Sequence, residues 1–234
     1  ETWGKELLVP ADSEIIVEGE VIPNVRLAEA PFGEFTGYYG SQKLNPVVKI
    51  HAITFRNEPI LQTVFIGHPD SDYVIGLSIE GDTYAAIKAI IPTIRAVHCP
   101  SSGKTFNLHI SMTKPYEGAP KAAAMVAIPQ HDFIKHVFVV DDDIDVFDER
   151  QVMWAFATRV QGDEDIEIIK GVRGNVLDPS AKRSPVTTNV IIDATKPLDR
   201  PFELALSFPE ELTKRMTPDE YIPAKTLESL KRGL

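Results

Sequence analysis

Val137-Phe138-Val139-Val140 is an unbroken apolar run that ends in Asp141-Asp142-Asp143. Successive side chains of a strand point to opposite faces, so this run asks for apolar cover on both sides. That requirement places it inside a layered α/β sheet, not on a sheet with one wet face. The flanks agree: Asp148 is placed to cap a helix through Val152, Trp154, Ala155 and Thr158, and Ile166-Glu167-Ile168-Ile169 and Val190-Ile191-Ile192 supply further strands. Strand, helix, strand at this spacing predicts a βαβ connection with parallel pairing.

Upstream the texture differs. Ile15-Ile16-Val17, a run over 47–55 and a run over 60–65 read as strands, with Arg56-Asn57-Glu58-Pro59 as a hairpin turn between the last two. A boundary is expected near residue 68. Beyond it, Asp82 is expected to cap a helix through Tyr84, Ile87 and Ile91 that stops at Pro92. A strand over 105–112 follows, then an Ala-rich helix over 117–128 that Pro120 interrupts. The tail from Glu210, with Leu212, Met216, Leu227 and Leu230, reads as helical pieces that pack on another subunit. The expected class is α/β, or α+β overall: a β piece over 1–67, a layered α/β domain over 68–209 and a helical tail over 210–234.

At 234 residues, 43% of them apolar, the chain is long enough for a sizeable core. A formal net charge of −10, without clustered Lys or Arg, argues against nucleic acid and anionic membrane as partners. The single cysteine, Cys99, excludes an intramolecular disulfide and a thiolate metal cage, and fits a reducing, cytoplasmic setting. No apolar run approaches the 18 or so residues of a membrane span. The first residues lack signal-peptide order and an initiator methionine, the start expected of a fragment, a processed subunit or a trimmed chain.

Chemistry centres on Glu29-Ala30-Pro31-Phe32-Gly33-Glu34, two carboxylates five positions apart on a segment that Pro31 and Gly33 keep out of a helix. Two readings stand: solvated loop glutamates, or a general acid with a partner whose charge raises its proton affinity. Asp141 to Asp145 reads as a hard-cation site or as a polar strand end leading into a helix. The six histidines, at 51, 68, 98, 109, 131 and 136, show no zinc-binding spacing and read as surface or packing residues. Adjacent in sequence, His98 and Cys99 are poorly placed to act as base and nucleophile. The stretch Arg173 to Ser180 is a Gly- and Pro-punctuated loop of the kind that lines pockets at a sheet edge.

Taken together these segments resemble the UbiD family of prenylated-flavin-dependent decarboxylases. Val9-Pro10-Ala11-Asp12-Ser13-Glu14-Ile15-Ile16-Val17-Glu18-Gly19 is similar to the family's VPA-x-x-EIV-x-EG strand. Glu29-Ala30-Pro31-Phe32-Gly33-Glu34-Phe35-Thr36-Gly37-Tyr38-Tyr39 is similar to its EGPFGE-x-x-GYY loop, with Ala30 for the usual glycine. The runs 136–145, 154–159, 173–180 and 192–197 match further family motifs, so the resemblance covers nearly the whole chain but only the family's C-terminal half.

The resemblance implies reversible, non-oxidative decarboxylation of an aromatic or α,β-unsaturated acid, with prenylated FMN as electron sink. It implies that Glu34 donates the replacing proton and that Glu29 belongs to a Glu-Arg-Glu network that tunes it. The network's arginine is not aligned with Arg26. Ile75, Asn175 and Leu177 correspond to substrate-lining positions, and Asn175, standing where ferulic acid decarboxylase has an aromatic residue, argues against a cinnamate-like substrate. The flavin phosphate, a divalent metal (Mn or Mg) and potassium are implied to be held by residues outside this chain, which leaves Asp141 to Asp145 structural and no metal assigned here. The implied fold is the last strands of a split β-barrel flavin domain, then an α/β domain with a mixed, largely parallel sheet. The implied partners are a carboxylic acid substrate, an N-terminal half or partner subunit, and further copies in a homodimer or larger oligomer. The alternative is a catalytically incomplete scaffold or oligomerisation fragment.

Overall fold

The computed structural model describes residues 7–182, 185–207, 209, 211–212 and 222–231, the side chains of 227 and 229–231 excepted. A two-stranded antiparallel ribbon, β1 (Ile15–Glu29) and β2 (Lys43–Phe55), leads into helix α1 (Pro69–Ile90). Then come β3 (Ile94–His98), β4 (Asn107–Met112), α2 (Ala119–Ala127), β5 (His136–Asp141), α3 (Glu149–Arg159), β6 (Ile166–Arg173) and β7 (Val186–Ala194). The five later strands form one sheet in the order β3-β4-β5-β7-β6. Its centre, β4-β5-β7, is parallel, as the βαβ spacing predicts, and both edges are antiparallel, so the sheet is mixed.

Strand β5 lies at the middle, and its side chains serve both layers. Val137 and Val139, fully buried, join Ile79, Ile87, Leu108, Ile110 and the alanine face of α2 on one side. Val140 joins Ile144, Val146, Val152 and Ala155 on the other, beneath α3. Burying each such side chain stabilises the fold by about 1.5–3 kcal/mol. Pro120 stands in the first turn of α2, where its missing N–H costs nothing, so it opens that helix instead of interrupting it.

Helix α1 corrects the expectation at Asp82, which is an interior residue of a helix that begins 13 residues earlier. Pro69 occupies the first turn and the His68 ring accepts from the Asp70 amide at 3.4 Å. The buried stripe is Asp72, Gly76, Ile79, Thr83 and Ile87, a helical spacing carried largely by residues that are not apolar. Gly76 belongs to it because a Cβ there would lie 3.2 Å from Cys99 Cβ.

The run 60–65 is not a strand. Glu14 occupies the place a ladder partner would take: its carbonyl accepts from the Arg56 amide at 3.0 Å and its carboxylate from Arg56 Nη1 at 3.2 Å and the Ile60 amide at 3.1 Å. The hairpin is instead β1 with β2. Its register pairs Ile15 with Phe55, Val17 with Ile53, Gly19 with Ile50 and Val21 with Val48, skipping His51 as a bulge. That one extra residue keeps Val48, Ile50, Ile53 and Phe55 on one face despite their broken alternation. The face is open: Val17, Val21, Val48, Ile50, Ile53 and Phe55 are each more than half exposed.

The residues from Pro197 onward form a separate unit, in which Ala224–Lys231 is helical. Met216 lies outside the described residues, as do the side chains of Leu227 and Leu230.

Buried His109 on β4 gives the fold a pH signature. Burial, and secondarily His98, holds its pKa down from 6.5 to about 4, against the opposing pull of the Val146 carbonyl 3.4 Å from Nδ1. The unfolded chain takes that proton near pH 6.5 and the folded chain does not. Stability from this group is therefore complete above pH 6.5 and declines as pH falls towards 4, by ~3 kcal/mol in all. In urea titrations between pH 7 and 4, His109→Gln should lose most of this slope.

Candidate active site

The acid loop is built by its own backbone. Gly33 bridges to Tyr39, the Glu34 amide donates to the Tyr38 carbonyl at 2.9 Å, the Gly37 amide to the Glu34 carbonyl at 2.9 Å, and the Gly40 amide to the Phe32 carbonyl at 3.0 Å. The turn needs a left-handed residue, and Gly37 provides it at φ +80°. At Gly40 the requirement is space: a Cβ would come within 2.6 Å of Glu34 Oε1. The two glycines shape the loop and the room for its carboxylate.

The loop is seated on the α/β layer by Phe35, which is buried between Phe133, with ring centroids 4.7 Å apart, and Phe106, at 5.7 Å. Aromatic contacts in this range add about 0.5–1.5 kcal/mol each beyond area burial. Glu34 lines a cleft of about 530 Å³ together with Phe32, Tyr38, Tyr39, Phe65 and Ile66. Phe65 ends the run that sequence pattern assigns to a strand, and Ile66 follows it. One half-buried carboxyl among aromatic and aliphatic walls suits a planar acid and proton delivery to it.

Glu29 is elsewhere. It ends β1, exposed, with a carboxylate that accepts from Asn45 Nδ2 on β2, and it does not line the cleft. Arg26, three residues before it on a regular stretch of the ladder, faces the opposite side and donates to the Leu44 carbonyl at 3.3 Å. Ile75 is half-buried on α1 and packs against the sheet core. Asn175 and Leu177 share one turn, where Asn175 Oδ1 accepts from the Leu177 amide at 2.9 Å and Nδ2 donates to Asp132 at 3.3 Å. These three are not among the cleft-lining residues. Their loop is pinned by Asp178, which accepts from Lys135 at 2.8 Å and from Ser180; burial would raise its pKa, but these bonds outweigh burial and lower it.

The Asp run is occupied by protein. Arg159, with a side chain only 2% exposed, donates to Asp141 Oδ2 at 2.8 Å and to both oxygens of Asp143, while the Lys196 amide shares Asp141 Oδ2 and the Lys196 ammonium shares Asp143 Oδ2. Among the described residues there is no group of three or more His, Cys, Asp or Glu that could hold a metal ion. His98 Nδ1 is bonded to Glu80 at 2.9 Å, and burial with Glu80 pushes the Cys99 thiol up to about 12, far from a thiolate nucleophile. No helix among the described residues is long and apolar enough to cross a membrane.

Residues 72–194 match the 3-octaprenyl-4-hydroxybenzoate carboxy-lyase C-terminal domain, and residues 1–69 match the Rift-related domain of the same enzymes. The chain belongs to the UbiD family. It is 38% identical over 197 residues to anhydromevalonate phosphate decarboxylase of Methanothermobacter thermautotrophicus, covering 83% of this chain and 46% of that protein. With phenolic acid decarboxylase of Sedimentibacter hydroxybenzoicus the identity is 39%, covering 82% and 41%. Among solved structures, the UbiD-class enzyme HmfF from Pelotomaculum thermopropionicum in complex with FMN superposes with a TM-score of 0.84 at 36% identity, over 92% of this chain and 48% of that one. An evolved dimeric form of HmfF with prFMN gives 0.78 at 33%, over 92% and 46%. The chain thus spans less than half the length of these UbiD relatives.

The docking of the UbiD acid loop can be tested directly. Phe35→Ala should cost ~3 kcal/mol of unfolding free energy, the usual price of a buried aromatic. It should also render residues 33–39 sensitive to limited proteolysis, read by mass spectrometry.

Proposed function

We propose that this chain is the acid-donating and α/β portion of a UbiD-type decarboxylase that removes carbon dioxide from an aromatic or α,β-unsaturated acid. The observation that carries the proposal is half-buried Glu34, which lines an aromatic-walled cleft and whose carboxyl is given its room by Gly40. When bound, prenylated FMN supplies the electron sink that protein side chains lack. Breaking the carbon–carboxylate bond leaves an electron pair on the substrate, and a proton must arrive at that carbon. Glu34 holds that proton, delivers it and regains one from solvent. Phe32, Tyr38 and Tyr39 orient the planar acid and keep water from the reacting carbon. Glu29, fixed by Asn45, contributes negative charge near the loop's entry and belongs to the network that sets the affinity of Glu34 for its proton. In this reading Ile75, Asn175 and Leu177 contact the far side of the substrate once the enzyme is complete.

The aromatic walls of the cleft are of the kind that stack on a flat ring such as a flavin or an aromatic acid. On the family resemblance, we assign the flavin phosphate, a divalent metal and potassium mainly to residues of an N-terminal half or a partner subunit. The open apolar face of the ribbon supports a further part of the assembly packing there, because exposed apolar patches commonly mark interaction sites. A dimeric form among the neighbours supports a homodimer or larger oligomer, for which we assign the interface to the α/β layer, and the single cysteine supports a cytoplasmic setting.

In the complete, flavin-loaded enzyme, with an acid the parent turns over, Glu34→Gln should lower both carbon dioxide release and deuterium exchange at the product carbon by about 100-fold or more. Parental rates in both would refute the assignment. Gly40→Ala should lower turnover about tenfold by displacing the carboxylate, with an unchanged melting temperature. A colourless preparation without flavin absorbance, made together with the N-terminal half, would favour the scaffold reading.

A further inference from the structure

A 3-10 turn, Ser101–Gly103, precedes two consecutive residues, neither of them glycine, in the left-handed region: Lys104 at φ 50° and Thr105 at φ 63°. Such backbone is costly for a residue with a Cβ and persists only where its surroundings hold it. Here it delivers Lys104 Nζ to two acceptors at once, the Gly67 carbonyl at 2.7 Å and Asp72 Oδ2 at 2.8 Å. Asp72, in the first turn of α1, has a side chain with no exposure, and its other oxygen is buried without a hydrogen-bond partner. A buried carboxylate with one free oxygen depends heavily on its single ammonium partner.

Gly67, at φ +79°, lies directly against the acid loop. A Cβ there would come 3.3 Å from Gly37 Cα and 3.6 Å from the Glu34 carbonyl oxygen. One peptide therefore touches the Glu34–Gly37 turn on one side and is hydrogen-bonded to the α/β layer on the other. The Phe35 seat is apolar and fixes proximity without direction. The charge-assisted bond to Gly67 has both length and direction.

Resting on the decarboxylase reading above, we infer that Lys104 is a positioning residue: through Gly67 it sets the register of the acid loop, and so of Glu34, against the α/β layer. It touches no reacting atom.

Removing Lys104 alone would strand the Asp72 charge in the interior, so the test removes both partners in Asp72→Leu/Lys104→Met, which replaces the pair by apolar groups of similar size. Hydrogen–deuterium exchange on the purified full-length protein, without flavin or substrate, should show the amides of Glu34, Gly37 and Gly40 exchanging about tenfold faster, as expected for loss of one charge-assisted bond. The amides of β5 should keep the parental rate. In the flavin-loaded enzyme the same variant should lower kcat about tenfold, with KM within about twofold. Loop amides at the parental rate overturn the inference, and so does equal acceleration of loop and β5, which would reduce the pair to a global stabiliser. Because exchange is read without chemistry, a failed Glu34→Gln experiment refutes the proton donor and leaves this result standing, and the reverse also holds.

Discussion

Strand β5 has no face left for water, and the two layers of the molecule meet on it. Val137 and Val139 point into the cluster under α1 and α2, while Val140 points into the smaller cluster under α3. Hydrogen bonding to β4 on one side and β7 on the other completes its backbone. The strand ends where its polar residues begin. At that end Asp141 meets Arg159, which returns from α3, and Lys196, which follows β7, so the ends of three elements are tied by one buried ionic cluster. Of the carboxylates that suggest a cation site, Asp141 and Asp143 are thus met by Arg159 and Lys196 of the chain itself.

The ribbon obeys a different economy. Its apolar side chains form one face, aligned by the bulge at His51, and nothing in the described part of the chain covers that face. What joins the ribbon to the α/β layer is the acid loop with its following segment, through the Phe35 seat and the Lys104 bond to Gly67. The loop therefore rests on the rigid layer while its glutamate faces a cleft.

Much of the fold is legible in local pattern because the pattern there is strong. The apolar run of β5, the Asp148 cap of α3 and the parallel pairing follow from short-range signals. The first half of α1 is illegible for a specific reason: its buried stripe is Asp72, Gly76, Ile79 and Thr83, and three of those four sites are not apolar. Asp72 is acceptable inside because Lys104 meets it, and Gly76 because Cys99 needs the space. Both reasons lie about 20 to 30 positions away in sequence. The run 60–65 fails in the opposite sense: its composition suits a strand, but pairing needs a free ladder edge, and Glu14 captures its first amide instead.

The glutamates show the same division. That Glu29 and Glu34 lie on a loop, and that such a loop marks a UbiD chain, is decided by Pro31, Gly33 and the neighbouring motif, all of which are local. Sequence likewise determines the net charge, the lone cysteine and the central parallel strands. Only the tertiary structure separates the two acids, giving Glu34 the cleft and Glu29 to Asn45, and only it brings Lys104 to Gly67. The physical reason is that local pattern encodes which faces are apolar and where the chain turns. Which distant donor reaches which carboxylate is set by packing of whole layers, and that information is spread over residues far apart in the chain.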